Sequence, residues 1–193
     1  MTAILACSPR RGGNCDAAAA IISATGFGCS GAGSFPVTAL RDFPVLPCLS
    51  CGHCAEHPLH CPLQDKDESA PLFALLQQAT RLVLIAPVYW YHVPAQLKAL
   101  MDRSQPWWAQ RGTGAGAASP PRRAHAVLVA GRPPGRRLFE GSLLSLRYWL
   151  RLFGYEFAEP LTLQGLDGPL ALSRDERSRE RIARYARERV FSA

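Results

Sequence analysis

Residues 81–103 read RLVLIAPVYWYHVPAQLKALMDR, and this stretch decides the fold. After the first arginine the segment is apolar without interruption up to residue 86, which is typical of a strand buried on both faces of a sheet. Three aromatic residues follow where the chain leaves the strand. A helical pattern with proline at its favoured first position then covers residues 94–103. This order predicts one unit of a parallel sheet covered by helices.

The same alternation of strand and helix extends along the chain. Right-handed connections between parallel strands then give a doubly wound, five-stranded α/β sheet with helices on both faces. Residues 112–123, GTGAGAASPPRR, are predicted to form a loop. The predicted strands cover residues 2–6, 35–40, 81–86, 124–130 and 155–163, and the predicted helices cover residues 16–24, 68–79, 94–103, 138–153 and 173–191.

Length and composition limit the class of protein. The chain has 193 residues, which suits one well-packed domain and gives no argument for two. It is 48% hydrophobic and 19% charged, as globular proteins are. The longest apolar run, residues 82–88, is far too short for a membrane span, and the N-terminus has no basic region or cleavage site typical of a signal peptide. We therefore predict a cytoplasmic protein outside the membrane.

The net charge of +7 comes mainly from arginine. Many arginines lie in residues 174–190, RDERSRERIARYARERV, where Arg and Glu alternate around a thin apolar stripe. This pattern is typical of a solvated helix with ion pairs on its outer face. No recognised nucleic-acid motif accompanies the basic residues, so we predict no nucleic-acid partner. A basic surface also attracts acidic redox proteins.

The loop after the first predicted strand has the composition of a phosphate site. Residues 7–16 read CSPRRGGNCD, and their glycines lie just before a helix N-terminus, where backbone N–H groups and the helix dipole favour an anion. Ser8 and Asn14 add neutral donors, and Arg10 or Arg11 could add charge. The spacing matches neither the dinucleotide motif nor the nucleoside triphosphate motif, so it indicates a single phosphate. An ordinary polar loop is the alternative.

The loop after the third predicted strand indicates a site for a flat ring. Tyr89, Trp90 and Tyr91 lie where the strand ends, and aromatic cover suits a flavin ring. Adjacent residues point in different directions, so at most two of them could contact one ring, and the others would serve packing or subunit contacts. His92 is a weak candidate for proton transfer.

The loop after the fourth predicted strand, residues 130–137, reads AGRPPGRR. Gly131 and Gly135 would permit close approach of the backbone to a ligand. Arg132 could offset negative charge on a reduced flavin, and a solvent-facing arginine is an equal alternative.

These three loops resemble those of the NADPH-dependent FMN reductase family. CSPRRGGN is similar to that family's phosphate loop GSPRxxGNT, APVYWYHVPAQLKALMDR to its segment SPVYxxxxxxxLKxxxDR, and AGRPPG falls where its third flavin loop belongs. The likeness runs from Ile4 to about Phe157. It implies a flavodoxin-like fold and a single FMN-binding domain over residues 1–193.

The resemblance also implies which residues contact FMN. The sequence departs from the family's pattern at Cys15, where Thr or Ser is usual. It also departs at residues 133 and 134, where two prolines remove backbone donors. By the resemblance, Ser8, Arg10, Gly13, Asn14 and Cys15 would surround the FMN phosphate, and Pro87, Val88, Tyr89, Trp90 and Gly131 would border the isoalloxazine ring.

Four cysteines lie close together in residues 48–61, CLSCGHCAEHPLHC. In a reducing compartment such spacing favours metal or redox chemistry over a disulfide. Zinc usually takes two separated CxxC pairs, whereas three cysteines at three-residue steps plus a nearby fourth suit a [4Fe–4S] cubane. Zinc, a mixed Cys/His site and free redox-active thiols stay as alternatives. The predicted metal ligands are Cys48, Cys51, Cys54 and Cys61; Cys7 and Cys29 are expected to be small buried residues.

This cysteine spacing resembles the iron–sulfur flavoproteins, a branch of the same family that pairs a [4Fe–4S] cluster with FMN. Within an α/β domain, a cysteine-rich loop at residues 47–66 would then be an insertion that holds the cluster. No nucleophile, dyad or triad motif is present, so catalysis is assigned to the cofactors and to no side chain.

The resemblance implies an oxidoreductase that passes electrons from a ferredoxin-like protein or NAD(P)H to a small acceptor such as oxygen, peroxide or a quinone. It also implies a homodimer or homotetramer, for which residues 89–91 and 107–108 offer aromatic contacts. Two alternatives stay open. One is an NAD(P)H-dependent FMN or quinone reductase whose cysteine loop binds zinc or no metal. The other is a non-catalytic electron carrier like flavodoxin.

Overall fold

The computed structural model describes residues 1–30, 35–57, 59–110 and 122–192, without the side chains of residues 29 and 30. The prediction for Cys29 lies outside these limits, as does the predicted loop at 112–123 except for its last two residues, which begin a strand. None of the helices in these ranges is long and apolar enough to cross a membrane.

The described strands form one parallel sheet. They are β1 (Thr2–Ala6), β2 (Val37–Ala39), β3 (Arg81–Pro87), β4 (Arg122–Val129), β5 (Tyr155–Phe157) and β6 (Leu161–Leu163). The order in the sheet is β2-β1-β3-β4-β5, and β6 pairs with β4 farther along the same edge. The doubly wound parallel sheet predicted from the sequence is confirmed, with one more strand than predicted.

Helices cover both faces of this sheet. A short 3₁₀ turn follows β2 at Leu40–Asp42, and a π-helical turn ends the last helix at Ala186–Val190. The helices are α1 (Asn14–Ser30), α2 (His53–Glu56), α3 (Ser69–Gln78), α4 (Ala95–Asp102), α5 (Gln105–Ala109), α6 (Glu140–Leu152), α7 (Ala171–Arg174) and α8 (Glu176–Tyr185).

The sheet separates two hydrophobic cores, which explains why its central strands, β1, β3 and β4, are mostly apolar on both faces. In β1, Ala3 and Leu5 pack into one core with α3, α4 and α6, whereas Ile4 and Ala6 pack into the other with α1 and α8. Successive side chains of a strand point to opposite faces. A strand buried on both faces therefore has no polar alternation, as residues 81–86 indicated.

The prediction of one strand over residues 155–163 is wrong, because the structure has two short strands there. Both pair with β4 in parallel, Tyr155 opposite Arg122 and Leu161 opposite Val127. Pro160 lies between them and has no backbone N–H to donate to a ladder. The break lets the chain follow β4 in two steps.

The predicted last helix, residues 173–191, is also interrupted. α7 ends at Arg174, and Asp175 caps α8 by accepting hydrogen bonds from the backbone N–H of Ser178 at 3.2 Å and from its hydroxyl at 2.8 Å. The ion pair between Arg179 and Glu176, 2.6 Å, lies on the exposed side of α8 as the charge pattern indicated.

One buried histidine lies in the centre of the sheet. His125 on β4 is 2% exposed, and neither ring nitrogen has a hydrogen-bond partner among the residues described. Its ring meets the Tyr185 ring edge-on at 6.2 Å between centroids. Burial, with smaller contributions from the charges of Arg81 and Arg123, lowers the pKa of His125 from 6.5 to about 4. His125 is therefore neutral in the folded protein at neutral pH.

Acidification should destabilise the protein through this histidine. Below pH 6.5 the unfolded chain binds a proton at His125, whereas the folded chain does so only near pH 4, so protonation favours unfolding in that window. We expect the free energy of unfolding of the wild type to fall by up to roughly 3 kcal/mol more than that of a His125→Leu variant between pH 6.5 and 4. Urea titrations at a series of pH values measure this, and parallel curves for the two proteins would contradict it.

Candidate functional site

Three predicted loops meet at one edge of the sheet. β1, β3 and β4 are adjacent and parallel, so the loops that follow them, residues 7–13, 88–94 and 130–139, emerge at the same edge. Ligands of open α/β sheets bind at the carboxyl ends of the strands. The topology thus brings together the segments that the sequence singled out for phosphate and ring binding.

The loop after β1 is fixed by hydrogen bonds from an arginine that the sequence analysis did not identify. Arg41, in the turn after β2, donates hydrogen bonds to the carbonyl oxygens of Ser8 and Arg10 at 3.3 and 3.4 Å, and to the Asp16 carboxylate at 2.9 Å. Asp16 in turn accepts a 2.7 Å hydrogen bond from the backbone N–H of Gly12, whose φ is 65°. Arg41 lies just after β2, the strand next to β1 in the sheet. This position in the sequence is the feature that could have pointed to a contact with the loop after β1.

Ser8 is buried, and its hydroxyl accepts a hydrogen bond from the backbone N–H of Arg10 at 3.2 Å. The Arg10 side chain is exposed and has no ion-pair or hydrogen-bond partner within the described part of the chain. A Cβ on Gly13 would lie 3.3 Å from the Arg10 side chain. The loop therefore curls tightly, and the Arg10 guanidinium is available to an anion.

The Asn14 side chain forms a clamp to the loop after β6. Its amide nitrogen donates to the carbonyl oxygens of Leu166 and Gly168 at 3.0 and 2.9 Å, and its amide oxygen accepts from the N–H of Leu172 at 3.0 Å. Both amide hydrogens are thus in use. A phosphate contact by Asn14, as the resemblance implied, would have to come from its backbone N–H.

The Cys15 thiol likewise faces away from the loop. It is buried in the core beneath α1, and burial, with a smaller contribution from Asp16, raises the pKa of Cys15 to about 12. Cys7 is also buried, and its pKa is raised by burial. The prediction of a small buried residue is confirmed for Cys7, and any phosphate contact by Cys15 would involve its backbone.

The aromatic loop forms a tight turn at the end of β3. Tyr89 and His92 exchange two backbone hydrogen bonds of 2.9 Å, and the intervening residues, Trp90 and Tyr91, have φ values of 51° and 63°. Positive φ at both central positions is typical of a type I′ turn. Trp90 is 97% exposed, so its ring contacts little of its own chain. The turn presents three neighbouring aromatic rings at the sheet edge.

The turn is supported by α6. A Cβ on Gly141 would lie 2.8 Å from the Tyr91 carbonyl oxygen, which is closer than real Cβ contacts allow. The His92 Nε2 lies 2.8 Å from the Ser145 hydroxyl. Gly141 thus permits the close approach of α6, and His92 is anchored by it; the sequence alone gave no sign of either contact.

The third loop contacts the aromatic turn through Arg132. Its guanidinium donates a hydrogen bond to the Tyr91 hydroxyl and lies 5.4 Å from the centre of that ring. A Cβ on Gly131 would lie 3.2 Å from the Asp167 carboxylate. Gly131 therefore leaves room for the loop after β6, and Arg132 joins the two loops that the resemblance assigned to the flavin ring.

The four predicted metal ligands line a single cavity of about 430 Å³. The Cys48 sulfur accepts a hydrogen bond from the backbone N–H of Ser50 at 3.4 Å. Between these cysteines the backbone takes left-handed conformations at Ser50 and Gly52, with φ values of 53° and 75°. Across the described residues, no three Cys, His, Asp or Glu side chains lie close enough together to hold a single metal ion. The lining residues are Cys48, Leu49, Ser50, Cys51, Gly52, Cys54, Cys61, Pro62, Leu63, Asp102, Arg103, Gln105 and Pro106.

Three histidines of the same loop contact one another. The rings of His53 and His57 stack at 4.2 Å between centroids, and His53 Nε2 lies 3.0 Å from His60 Nδ1. Partial burial, with repulsion from the other two rings, lowers the pKa of His53. The cluster therefore favours the neutral imidazole at His53.

A buried ion pair joins the two ends of the cysteine loop, residues 47–66, to the end of α4. The side chains of Arg103 and Asp67 are 1% exposed and form a salt bridge. Asp67 also accepts hydrogen bonds from the backbone N–H of Leu46 at 2.9 Å and of Ser69 at 3.0 Å. Although burial raises the pKa of Asp67, these hydrogen bonds outweigh it and hold the pKa below its ordinary value. The two ends of the loop are thus fixed to the end of α4.

Comparison with known proteins gives matches to flavin-binding folds. The family described as having a flavodoxin-like fold matches residues 3–189. An iron–sulfur flavoprotein from Methanosarcina thermophila is 34% identical over 101 residues, which are 50% of this chain and 48% of that protein. The match thus spans about half the length of that curated relative.

Solved structures match over nearly the whole chain. An NAD(P)H:quinone oxidoreductase from Methanothermobacter marburgensis has a TM-score of 0.68 at 18% identity, covering 97% of this chain and 98% of its own. An FMN-dependent NADH-azoreductase from Bacillus anthracis, in complex with FMN, has a TM-score of 0.62 at 16% identity, covering 96% and 97%. These identities indicate a shared fold.

Removing the Asn14 clamp should loosen the loop after β1. We expect Asn14→Ala to lower the free energy of unfolding by about 1–3 kcal/mol, because it removes two partly buried hydrogen bonds, with Leu166 and Leu172, and an exposed one with Gly168. Asn14→Asp keeps the acceptor for the Leu172 N–H but sets a carboxylate oxygen against the Leu166 and Gly168 carbonyl oxygens, so it should lose at least as much. Urea denaturation of the three proteins measures this, and an Ala variant as stable as the wild type would contradict the clamp.

Proposed function

Because its residues 3–189 match that family, this chain belongs to the flavodoxin-like fold family, and on this premise we propose that it is an FMN-dependent oxidoreductase with a [4Fe–4S] cluster. FMN would lie at the edge formed by the three loops, and the cluster at the cysteine cavity. A single domain over residues 1–193 would hold both.

The observation that carries the proposal is the position of α4 between the two sites. Its N-terminal end follows the aromatic turn directly, and its last residue, Asp102, lines the cysteine cavity with Arg103. A helix of eight residues is about 12 Å long. The two sites therefore lie at opposite ends of one short element. This arrangement suits electron transfer between them.

The residues of the first loop fit a phosphate. The first-turn N–H groups of α1 have no partner within the helix, and its 17 residues add a dipole that favours an anion. Arg10 supplies an exposed guanidinium, while Arg41 fixes the loop from beneath. We propose that backbone N–H groups of residues 8–15 and the Arg10 side chain bind the phosphate, with Ser8, Gly13, Asn14 and Cys15 shaping the loop.

The other two loops fit the isoalloxazine ring. Pro87, Val88, Tyr89 and Trp90 would border one side and Gly131 the polar edge. The N–H of Val88 is used by the Val129 carbonyl at 2.8 Å, which fixes the base of the turn. Arg132 holds the turn through Tyr91 and would place positive charge beside the isoalloxazine ring. These residues would bind and orient the isoalloxazine ring. No side chain is proposed to act as nucleophile or general acid.

The donor set of the cysteine cavity fits an iron–sulfur cluster. Four thiols line one cavity, and the backbone N–H of Ser50 already donates a hydrogen bond to the Cys48 sulfur. When both cofactors are bound, the cluster supplies one electron at a time and FMN exchanges one or two. We propose a ferredoxin-like protein or NAD(P)H as the donor and a small molecule such as oxygen, peroxide or a quinone as the acceptor. The curated relative's name, iron–sulfur flavoprotein, supports this pairing.

We propose that the protein works as a homodimer or homotetramer in which the aromatic turn contributes to subunit contacts. Trp90 and Tyr148 are largely exposed, and exposed aromatic rings are typical of interfaces. Trp107, which the sequence offered for the same role, instead stacks on Phe73 at 4.3 Å between ring centroids. The contact surface would therefore exclude Trp107.

Cofactor analysis of the anaerobically purified protein tests the proposal. We expect about four irons and four sulfides per chain together with FMN. A Cys48→Ala, Cys51→Ala double variant should lose iron and sulfide but keep FMN, because the phosphate loop is separate from the cavity. Cys7→Ala, which removes a buried thiol outside the cavity, should keep both cofactors.

Other outcomes would favour the alternatives. One zinc without sulfide, and FMN still bound, would indicate an NAD(P)H-dependent reductase with a structural metal. Both cofactors without turnover on any acceptor would indicate an electron carrier. Absence of FMN that cannot be restored would contradict the flavin site itself.

A further inference from the structure

Arg103 contributes a buried cation to the wall of the cysteine cavity. It lies just after α4, its side chain is 1% exposed, and it lines the cavity together with the four cysteines. Lysine and arginine side chains are almost never buried to this degree unless they are paired. The pairing of Arg103 therefore indicates what the residue does.

Two of its three nitrogens have partners at the ends of the cysteine loop, with both hydrogens of Nη1 and one of the two hydrogens of Nη2 in use. Nη1 donates to Asp67 and to the Leu46 carbonyl oxygen at 3.0 Å, and Nη2 lies 3.3 Å from the Ser69 hydroxyl. Nε is buried and has no hydrogen-bond partner among the described residues. A buried N–H donor without an acceptor is unfavourable. The Nε–H of Arg103 therefore needs an acceptor from outside the described part of the chain, such as a bound ligand.

A metal centre bound by the four cysteines can supply that acceptor. Thiolate and sulfide sulfurs are hydrogen-bond acceptors, and hydrogen bonds to sulfur adjust the potential of an iron–sulfur cluster. Asp67 balances the charge of Arg103, so the pair brings little net charge to the cavity. What remains for a bound centre is the Nε–H, which is buried without a partner in the described part of the chain, and the second hydrogen of Nη2.

We propose that Arg103 Nε–H donates a hydrogen bond to a sulfur atom of the metal centre held by Cys48, Cys51, Cys54 and Cys61, and that it thereby raises the reduction potential of that centre. This inference rests on the proposed function. Arg103 has two roles: the Nη groups hold the loop ends through Asp67, and the Nε group contacts the centre. A donor to sulfur stabilises the reduced, more negative state, so its loss lowers the potential.

Three variants separate the two roles. Arg103→Lys keeps a cation for Asp67 but lacks the guanidinium Nε–H. Asp67→Asn weakens the loop anchor but keeps Arg103 and removes a neighbouring negative charge. Arg122→Lys is the matched control, since Arg122 is a second arginine that donates to backbone carbonyls, those of Leu76, Ala79 and Phe153, and does not line the cavity.

The reduction potential of the cluster, followed by EPR in the reconstituted protein, is the decisive measurement. We expect Arg103→Lys to change the ratio of reduced to oxidised cluster at a fixed potential about tenfold, a negative shift of about 59 mV for one electron. Asp67→Asn should shift the potential in the positive direction, and Arg122→Lys should leave it unchanged. Opposite signs for the first two variants distinguish a contact with the centre from a general loosening of the loop.

A second measurement uses the wild type, in case Arg103→Lys does not fold. Arginine labelled with ¹⁵N should give a coupled nitrogen in the pulsed EPR spectrum of the reduced cluster. The inference would be overturned if the wild type held the cluster but showed no coupled arginine nitrogen, or if folded Arg103→Lys had an unchanged potential. Either result would leave the proposed function standing. A wild type without iron and sulfide would overturn the proposed function and this inference with it.

Discussion

Parallel pairing of β3 with β1 and β4 is the constraint on which the rest of the structure depends. Seven residues of β3 are in register with β4 and five with β1, so the three strands end at one edge. Parallel strands need helical connections, and these cover both faces of the sheet. The apolar character of the strands, the two cores and the grouping of three loops all follow from this pairing.

The loops at that edge are held by interactions that lie outside the strands. Arg41 fixes the first loop, Asn14 ties it to the chain after β6, and Arg132 joins the second and third loops. Arg103 and Asp67 close the cysteine loop against α4. Each contact links residues far apart in sequence, so the surface that would bind cofactors is shaped by long-range polar contacts on a rigid apolar support.

The errors of sequence reasoning have local physical causes. Pro160 divides a predicted strand because it cannot donate to the ladder, and Asp175 starts a new helix where the charge pattern looked continuous. Asn14 was assigned to a phosphate from the composition of its loop, but its amide contacts residues more than 150 positions away. Composition indicates which groups a loop contains, whereas it carries no information about partners that arrive from elsewhere.

The sequence by itself determined the alternation of the main strands and helices, the parallel sheet and the close spacing of four cysteines, because these depend on local apolar periodicity and on spacing along the chain. Only the tertiary structure decided that the cysteines share a cavity with Arg103, that Cys15 faces the core and that Gly141 supports the aromatic turn. Such features depend on which distant side chains meet in space. That is set by the packing of helices against both faces of the sheet.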